Sequence, residues 1–328
     1  MKKNKLFFVN RTLYFVLCQL LFVGCLLTAS SCNQGNRVSD ELKGRLKGKA
    51  EKHLRDSEQW GKVIMKELDK DFADELESLN GVNIDGVVDV YYKQTDTTHI
   101  IIAGNAKVVD SYRFTMEDGV LKVTYANEEA RNAKLPVMYV YVNAPTLEKA
   151  ILSGVGDLNV ESPVVQAEDM NLSVSGSGDV DIKSEVTCGD FNMTINGAGD
   201  LDIERLDCMD SHILISGAGD VRIKKMKSLG NVTLMNSGAG DITAKVTCEN
   251  MTAEISGAGD ADIEVKCDVV TAGAHGKGDV TFKGTARKLI KSKSGFGTLS
   301  TSKLAVDELD RKKTTLSDDE DDDDDDDE

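Results

Sequence analysis

A chain of 328 residues with 5% aromatic side chains has little with which to stack bases or flavins, and a formal net charge of −17 argues against a nucleic-acid partner. Eleven of those negative charges stand together at Asp318–Glu328, so the remainder is only mildly acidic. The 29 glycines suit closely turned coils filled by small and branched aliphatic residues.

In chain order the first element is an address. Lys2, Lys3, Lys5 and Arg11 precede an apolar run from Leu13 to Leu27, and Ala29-Ser30-Ser31-Cys32 follows. A basic head, a short apolar core and small residues before a cleavage point describe an export signal over residues 1–31. Gln19 interrupts the run, which is short for a membrane span. Three small residues before Cys32 resemble a bacterial lipoprotein box, with Ala29 where Leu is commonest. Cys25, after Gly24, is the weaker rival because Phe22 and Val23 are bulky. The expectation is an acylated Cys32 that tethers the exported protein to a membrane, followed by a polar spacer over 32–53.

Trp60, Ile64, Leu68, Phe72 and Leu76 recur at i+4, and Asn80-Gly81 makes a stop, which together predict an amphipathic helix over 54–80. Docking on the following domain, or covering its open end, suits so short a stripe better than a self-associating stalk. From Val82 the period changes to two. Val88, Val90 and Tyr92, then Ile100 and Ile102, then Val120, Leu121 and Val123, then Val137, Tyr139 and Tyr141 read as strands, with Asp118-Gly119 as a turn.

A repeat then takes over. Ser-Gly-Ala-Gly-Asp stands at 216–220, 237–241 and 256–260, with variants beginning at Ser153, Ser175, Asn196, His275 and Ser294. The intervals between first residues are 22, 21, 20, 21, 19, 19 and 19. Alternating apolar positions precede each turn, as in Met170, Leu172 and Val174. Apolar–x–apolar follows it, as in Val180 and Ile182, and a third short strand comes after, as in Val186 and Cys188. Three short strands per coil of about 20 residues describe an all-β, right-handed, three-sided parallel β-helix over 81–300. At a strand spacing of about 4.8 Å, the repeated segment is about 34 Å long.

Cys188, Cys208, Cys248 and Cys267 each lie eight residues before the next turn, with Leu229 and Ala286 at that position in the neighbouring coils. An inward ladder of stacked thiols is preferred to disulfides among the four, because side chains projecting in parallel suit the disulfide torsion poorly. Lys291 and Lys293 fall where earlier coils place apolar residues, so the core closes or shifts register there. Residues 277–313 carry ten Lys or Arg against four acids, and 301–328 read as a disordered basic-to-acidic tail.

The turn itself admits three chemistries. A dinucleotide loop needs a third Gly opening a helix, whereas Asp and a strand follow here. A calcium ladder through Asp179, Asp181, Asp200, Asp202, Asp220, Asp241, Asp260 and Asp262 would relieve the repulsion of stacked carboxylates, but known calcium coils space their Asp differently. The preferred reading is structural: Gly supplies positive φ at a tight corner, and Ser and Asp accept hydrogen bonds from turn amides. No cofactor is expected, with Ca²⁺ as the alternative. The nearly uniform turns enclose no cleft and present no distinct Ser-His-Asp, Cys-His or carboxylate pair, so a glycan-acting enzyme ranks last.

The recurrent coils, together with Val87-Val88-Asp89-Val90, Asp118–Val123 and Ala144–Lys149, resemble the bacterial family of putative auto-transporter adhesins with a head GIN domain, over about residues 82–300. The resemblance implies an exported or lipid-anchored β-solenoid of Gram-negative bacteria and implies no ligand or catalytic residues. The resulting expectation is a non-enzymatic, outer-membrane-anchored envelope lipoprotein. Its long faces would meet a polymer, glycan or envelope protein, with the periplasmic and surface sides both open.

Overall fold

The computed structural model describes residues 54–311, together with Gly44. The export signal, Cys32, the rest of the spacer and the acidic run lie outside the described residues.

Strand β1 (Val63–Glu67) occupies the centre of the segment expected to be helical, and only a 3-10 turn at Leu76–Ser78 follows it. The i+4 pattern has another origin. Phe72 N–H donates to the Leu68 carbonyl and Leu76 N–H to that of Phe72, so consecutive single turns, not a continuous helix, repeat at four residues. Leu68 is buried, and Ile64, Phe72 and Leu76 pack beside it on the main core. The stripe therefore does dock on the domain. It does so as a strand and turns because the β-branched Val63 and Ile64 complete the free edge of β4 (below) by antiparallel pairing.

The chain then makes one coil from β2 (Gly81–Ile84) and β3 (Val88–Gln94) and leaves the stack. Strand β4 (His99–Asn105), helix α1 (Ala106–Val109) and the hairpin β5 (Tyr112–Glu117) to β6 (Val120–Tyr125) follow. Asp118 and Gly119 turn that hairpin with φ of 51° and 74°, the left-handed pair such a turn requires. Helix α2 (Glu128–Asn132), capped by Asn127, leads to β7 (Met138–Ala144). Strand β6 pairs in parallel with β2, and β7 with β3, so this later chain forms a coil on the N-terminal side of the first one. The connection 145–148 then crosses back, and β8 (Lys149–Leu152) and β9 (Leu158–Val160) pair with the other edges of β2 and β3. The coil 81–94 is thus sandwiched between two coils that come after it in sequence.

From there the stack is regular. It runs through β10 (Val164–Val165), β11 (Met170–Val174), β12 (Val180–Thr187), β13 (Phe191–Ile195), β14 (Leu201–Cys208), β15 (Ser211–Ile215), β16 (Val221–Ser228) and β17 (Asn231–Asn236). It continues with β18 (Ile242–Thr247), β19 (Asn250–Ile255), β20 (Ala261–Ala274), β21 (Val280–Lys293) and β22 (Leu299–Arg311). One face stacks β11, β13, β15, β17 and β19, and the other long side stacks β12, β14, β16 and β18, all in parallel. Register breaks between Ile182 and Glu185, and between Ile223 and Met226, bend the second side into two, which makes the coil three-sided. The same insertions account for the uneven intervals. A second extra residue before Val232 aligns Ser228, not Leu229, with Cys208.

Inward columns follow the period-two pattern with little exception: Met170, Phe191, Val232 and Met251 are buried, as are Val174, Ile195, Ile215 and Ile255. A smaller cluster lies outside the coils at the N-terminal end. There Ile101, Ala103, Tyr139 and Tyr141 are buried with Leu54, and the Tyr91 and Tyr141 rings stack at 5.0 Å. At the far end the inward positions thin from Ala253 to Ala272 to Lys291, and from Ile255 to Ala274 to Lys293. The stack nevertheless extends past residue 300, because β22 pairs with β21 as far as Arg311. Residues 301–311, expected as the start of a tail, are therefore part of the stack.

Candidate functional site

The corner residues form a continuous hydrogen-bonded ladder. The amide of each motif Asp donates to Oδ1 of the Asp one coil earlier: Asp179 to Asp157 at 3.0 Å, Asp200 to Asp179 at 2.9 Å, Asp220 to Asp200 at 2.8 Å. Asp241, Asp260 and Asp279 continue it at 2.8, 2.8 and 2.7 Å. Thr298 ends the row by donating both its amide and its hydroxyl to Asp279, which holds that carboxyl below the usual range. At the other end Asp157 donates to Asp89, so Asp85-Gly86-Val87-Val88-Asp89 is a further, degenerate copy of the motif. Its place in the row hides in the sequence because β4 to β7 intervene before Ser153.

The glycines answer a different constraint from the expected one. Of the motif positions, only Gly156 and Gly295 have φ in the left-handed range. A Cβ at Gly199 would lie 1.8 Å from the Gly178 carbonyl oxygen, and one at Gly197 would lie 1.8 Å from that of Gly176. Backbone stacking, not φ, excludes a side chain there. The residue between the two glycines points outward and varies freely: Val155, Ser177, Ala198, Lys277 and Phe296 all occupy it.

Two residues beyond each Asp, the outward row runs Asp181, Asp202, Arg222, Thr243, Asp262. The acids are matched by bases: Lys183 pairs with Asp181 at 2.9 Å, Arg222 with Asp202 at 3.5 Å, Lys283 with Asp262 at 3.1 Å. A groove of about 370 Å³ lies over Asp157 to Asp241 and Asp181 to Arg222. Its donor set fits calcium poorly. That ion takes six to eight oxygens, whereas here one oxygen of each corner carboxylate accepts an amide and the outer row is broken by Arg222 and Thr243. Among the described residues no three acidic, His or Cys side chains converge on one point suited to a metal.

A second corner ladder went unread in the sequence. Asp190 N–H donates to Asp169 at 2.8 Å, Asp210 to Asp190 at 3.1 Å and Asn231 to Asp210 at 2.6 Å. The signal was a recurrence of Asp or Asn with the period of the main motif. Near the C-terminal end, His275 Nδ1 and Ser294 Oγ lie 2.7 Å apart, and His275 Nε2 lies 3.2 Å from both Glu254 and Ser292. These three residue types could in principle move a proton. They sit on an open corner where His275 and Ser294 take the Ser column, and Asn196 and Ser216 hydrogen-bond in the same way at 2.5 Å.

The cysteine ladder is inward, as expected for small hydrophobes. Cys188 and Cys208 are buried, and burial pushes the Cys188 thiol up to about 12 and that of Cys208 higher still. Ser228 interrupts the column, and Cys248 and Cys267 then meet sulfur to sulfur.

The two long sides differ in chemistry. The side carrying Asp202 is a mosaic of ion pairs, including Glu204–Lys224 and Lys245–Glu264 at 2.5 Å each. On the opposite side the outward rows read Asn171, Asn192, His212, Thr233, Thr252 and Ser173, Thr194, Leu214, Met235, Glu254. Glu254 is the single carboxylate in these rows, and Leu214 and Met235 are 41% and 45% exposed. The result is a flat, nearly uncharged platform with adjacent apolar contacts at its centre.

A family model described as "Putative auto-transporter adhesin, head GIN domain" matches residues 78–244 and 224–318. Among solved structures, a putative adhesin from Parabacteroides distasonis ATCC 8503 aligns at 21% identity and a TM-score of 0.60, covering 75% of this chain and 97% of its own. Putative adhesins from Bacteroides fragilis NCTC 9343 (21% identity, 75% and 97% covered) and Parabacteroides merdae ATCC 43184 (18% identity, 77% and 97% covered) each align with a TM-score of 0.51. A search of curated proteins finds no match.

Proposed function

The chain belongs to the putative auto-transporter adhesin, head GIN domain family, and on that premise we propose that it is a non-enzymatic binding module of the cell envelope, tethered through an acylated Cys32. The one observation that carries the binding mode is the nearly uncharged platform of β11, β13, β15, β17 and β19. Parallel stacking repeats its side chains at about 4.8 Å, so Asn, Thr and His offer regularly spaced hydrogen-bonding groups around the exposed Leu214 and Met235. Such a surface suits a long neutral polymer, a glycan in particular: hydroxyls can exchange hydrogen bonds with His212, Thr233 and Thr252 while C–H faces lie on the apolar pair. The charged opposite side would have to break its own ion pairs to serve. No helix among the described residues is long and apolar enough to cross a membrane.

The test places Lys at Thr194, Leu214 and Thr233 together and compares retention on an array of neutral envelope polysaccharides with that of the native protein and of Lys224→Glu on the ion-paired side. Loss in the first variant alone is the expected result. Equal retention by all three would reject this platform as the binding face. Globomycin-sensitive labelling of the chain by a palmitate analogue, abolished in Cys32→Ala, tests the anchor.

A further inference from the structure

The thiol ladder is not uniform, and its close pair lies towards the C-terminal end of the stack. Cys248 and Cys267 occupy the same position in adjacent coils, because Thr247 pairs with Lys266 just before them, and their sulfurs lie 2.8 Å apart. A disulfide bond is about 2.05 Å long, so a small side-chain rotation separates the pair from bonding distance. Cys188 and Cys208 also hold one position in adjacent coils, because Thr187 pairs with Asp207 just before them, but both are buried. Cys208 faces Ser228 in the next coil, and the Cys188 thiol approaches the Asp190 carbonyl at 3.8 Å.

The pair is also reachable. Cys248 is partly exposed and Cys267 buried, and both line a groove of about 470 Å³ together with Lys266, Thr285, Arg287 and Asp307. The hydrogen bond between the two thiols lowers the Cys267 proton affinity and raises that of Cys248. In the same coils the inward columns shrink from Ile255 to Ala274 to Lys293, so packing restrains this end less than the middle of the stack.

We propose that Cys248 and Cys267 are a modification site, a dithiol closed by a disulfide-carrying oxidant into one inter-coil cross-link. The Cys267 thiolate attacks a sulfur of the oxidant and releases one thiolate from it. The deprotonated Cys248 then attacks the Cys267 sulfur of that mixed disulfide and releases the second thiolate. Two S–H bonds become one S–S bond, and two electrons and two protons leave with the oxidant, which ends as two thiols. The cross-link closes one coil onto the next and restrains the C-terminal coils against fraying. The exported location proposed above is needed only as the source of the oxidant in the cell.

The purified full chain is incubated with oxidised glutathione, unreacted thiols are blocked with N-ethylmaleimide, and the digest is mapped by mass spectrometry. Trypsin isolates Val246–Lys266 and Cys267–Lys277, each with one cysteine. The expected result is these two peptides joined, with Cys188 and Cys208 carrying the blocking group. Recovery of the two as separate blocked or glutathionylated peptides, or of either joined to another cysteine, would overturn the proposal. Because the oxidant is supplied, failure of the export reading leaves this readout intact. As a second measurement, the oxidised protein should melt above the reduced one, and Cys248→Ser should abolish that difference. Equal melting of the oxidised and reduced native protein would overturn the stapling role.

Discussion

The backbone amide of Asp220 donates to the side chain of Asp200, one coil earlier, at 2.8 Å. A row of like charges is thereby converted into a row of acceptors, each aimed at an amide that parallel strand pairing leaves free at the corner. That single relationship, repeated from Asp89 to Thr298, gives the Asp that closes each motif a structural role.

Asp200→Ala should therefore destabilise the protein by about 0.5–1.5 kcal/mol, the net worth of one such bond, while Asp200→Asn, which keeps the acceptor, should cost less. Urea unfolding midpoints of the two variants distinguish acceptor geometry from charge. A larger loss in the Asn variant would mean that the carboxylate charge itself matters.

Gly199→Ala should cost about 1–3 kcal/mol, because its Cβ would sit 1.8 Å from the Gly178 carbonyl oxygen and the two coils would have to separate. Ala198→Ser, one residue away and pointing outward, should leave the melting temperature unchanged. A neutral Gly199→Ala would show that the coils slide more easily than this packing allows.

The Asp279 carboxyl is held low by the amide and hydroxyl of Thr298. A folded-state pKa below the unfolded one contributes stability that is present above the unfolded value and is lost as pH falls through the folded value. Asp279→Asn should therefore lower the melting temperature at neutral pH, and its deficit relative to the native protein should shrink as pH falls below the ordinary carboxylate range. A deficit that stays constant with pH would assign the effect to packing.

Thermal melts with calcium and with a chelator should coincide, since the corner carboxylates are engaged by amides and the outer acids by Lys183, Arg222 and Lys283. A calcium-dependent rise would show that the groove over Asp179 and Asp200 rearranges to bind the ion.

Arg205 lies 2.8 Å from Asp207, whose side chain is only 4% exposed. Arg205→Ala leaves that carboxylate without its ion-pair partner and should destabilise by about 1–2 kcal/mol, whereas Lys183→Ala, at an exposed pair, should change stability by less than about 0.5 kcal/mol. Equal effects in denaturant titrations would place Asp207 in contact with water.

How far the chain could be read in advance depended on whether the information was local and repeated. Alternation such as Phe191, Met193, Ile195 specifies an inward face residue by residue, and the recurring Gly-x-Gly-Asp marks each corner, so the coil, its three sides and the Cys column were legible. The i+4 stripe from Ile64 to Leu76 misled because isolated turns share the spacing of a helix, and only the open edge of β4 selects the strand. The role of the motif glycines was misread for a related reason. Conformation is a property of one residue, but the clash at Gly199 involves the coil below.

By itself, then, the sequence determined a parallel solenoid, the direction each strand residue faces and the positions at which coils turn, because these follow from periods of two and of about twenty. Only the tertiary structure decided that coil 81–94 is held between later coils, that Asp89 begins the ladder, that Ser228 breaks the cysteine column, and that one long side is ion-paired while the other is neutral. Each of these depends on which residue of one coil lies above which residue of the next. A single inserted residue shifts that register without disturbing the periodicity that announces the fold.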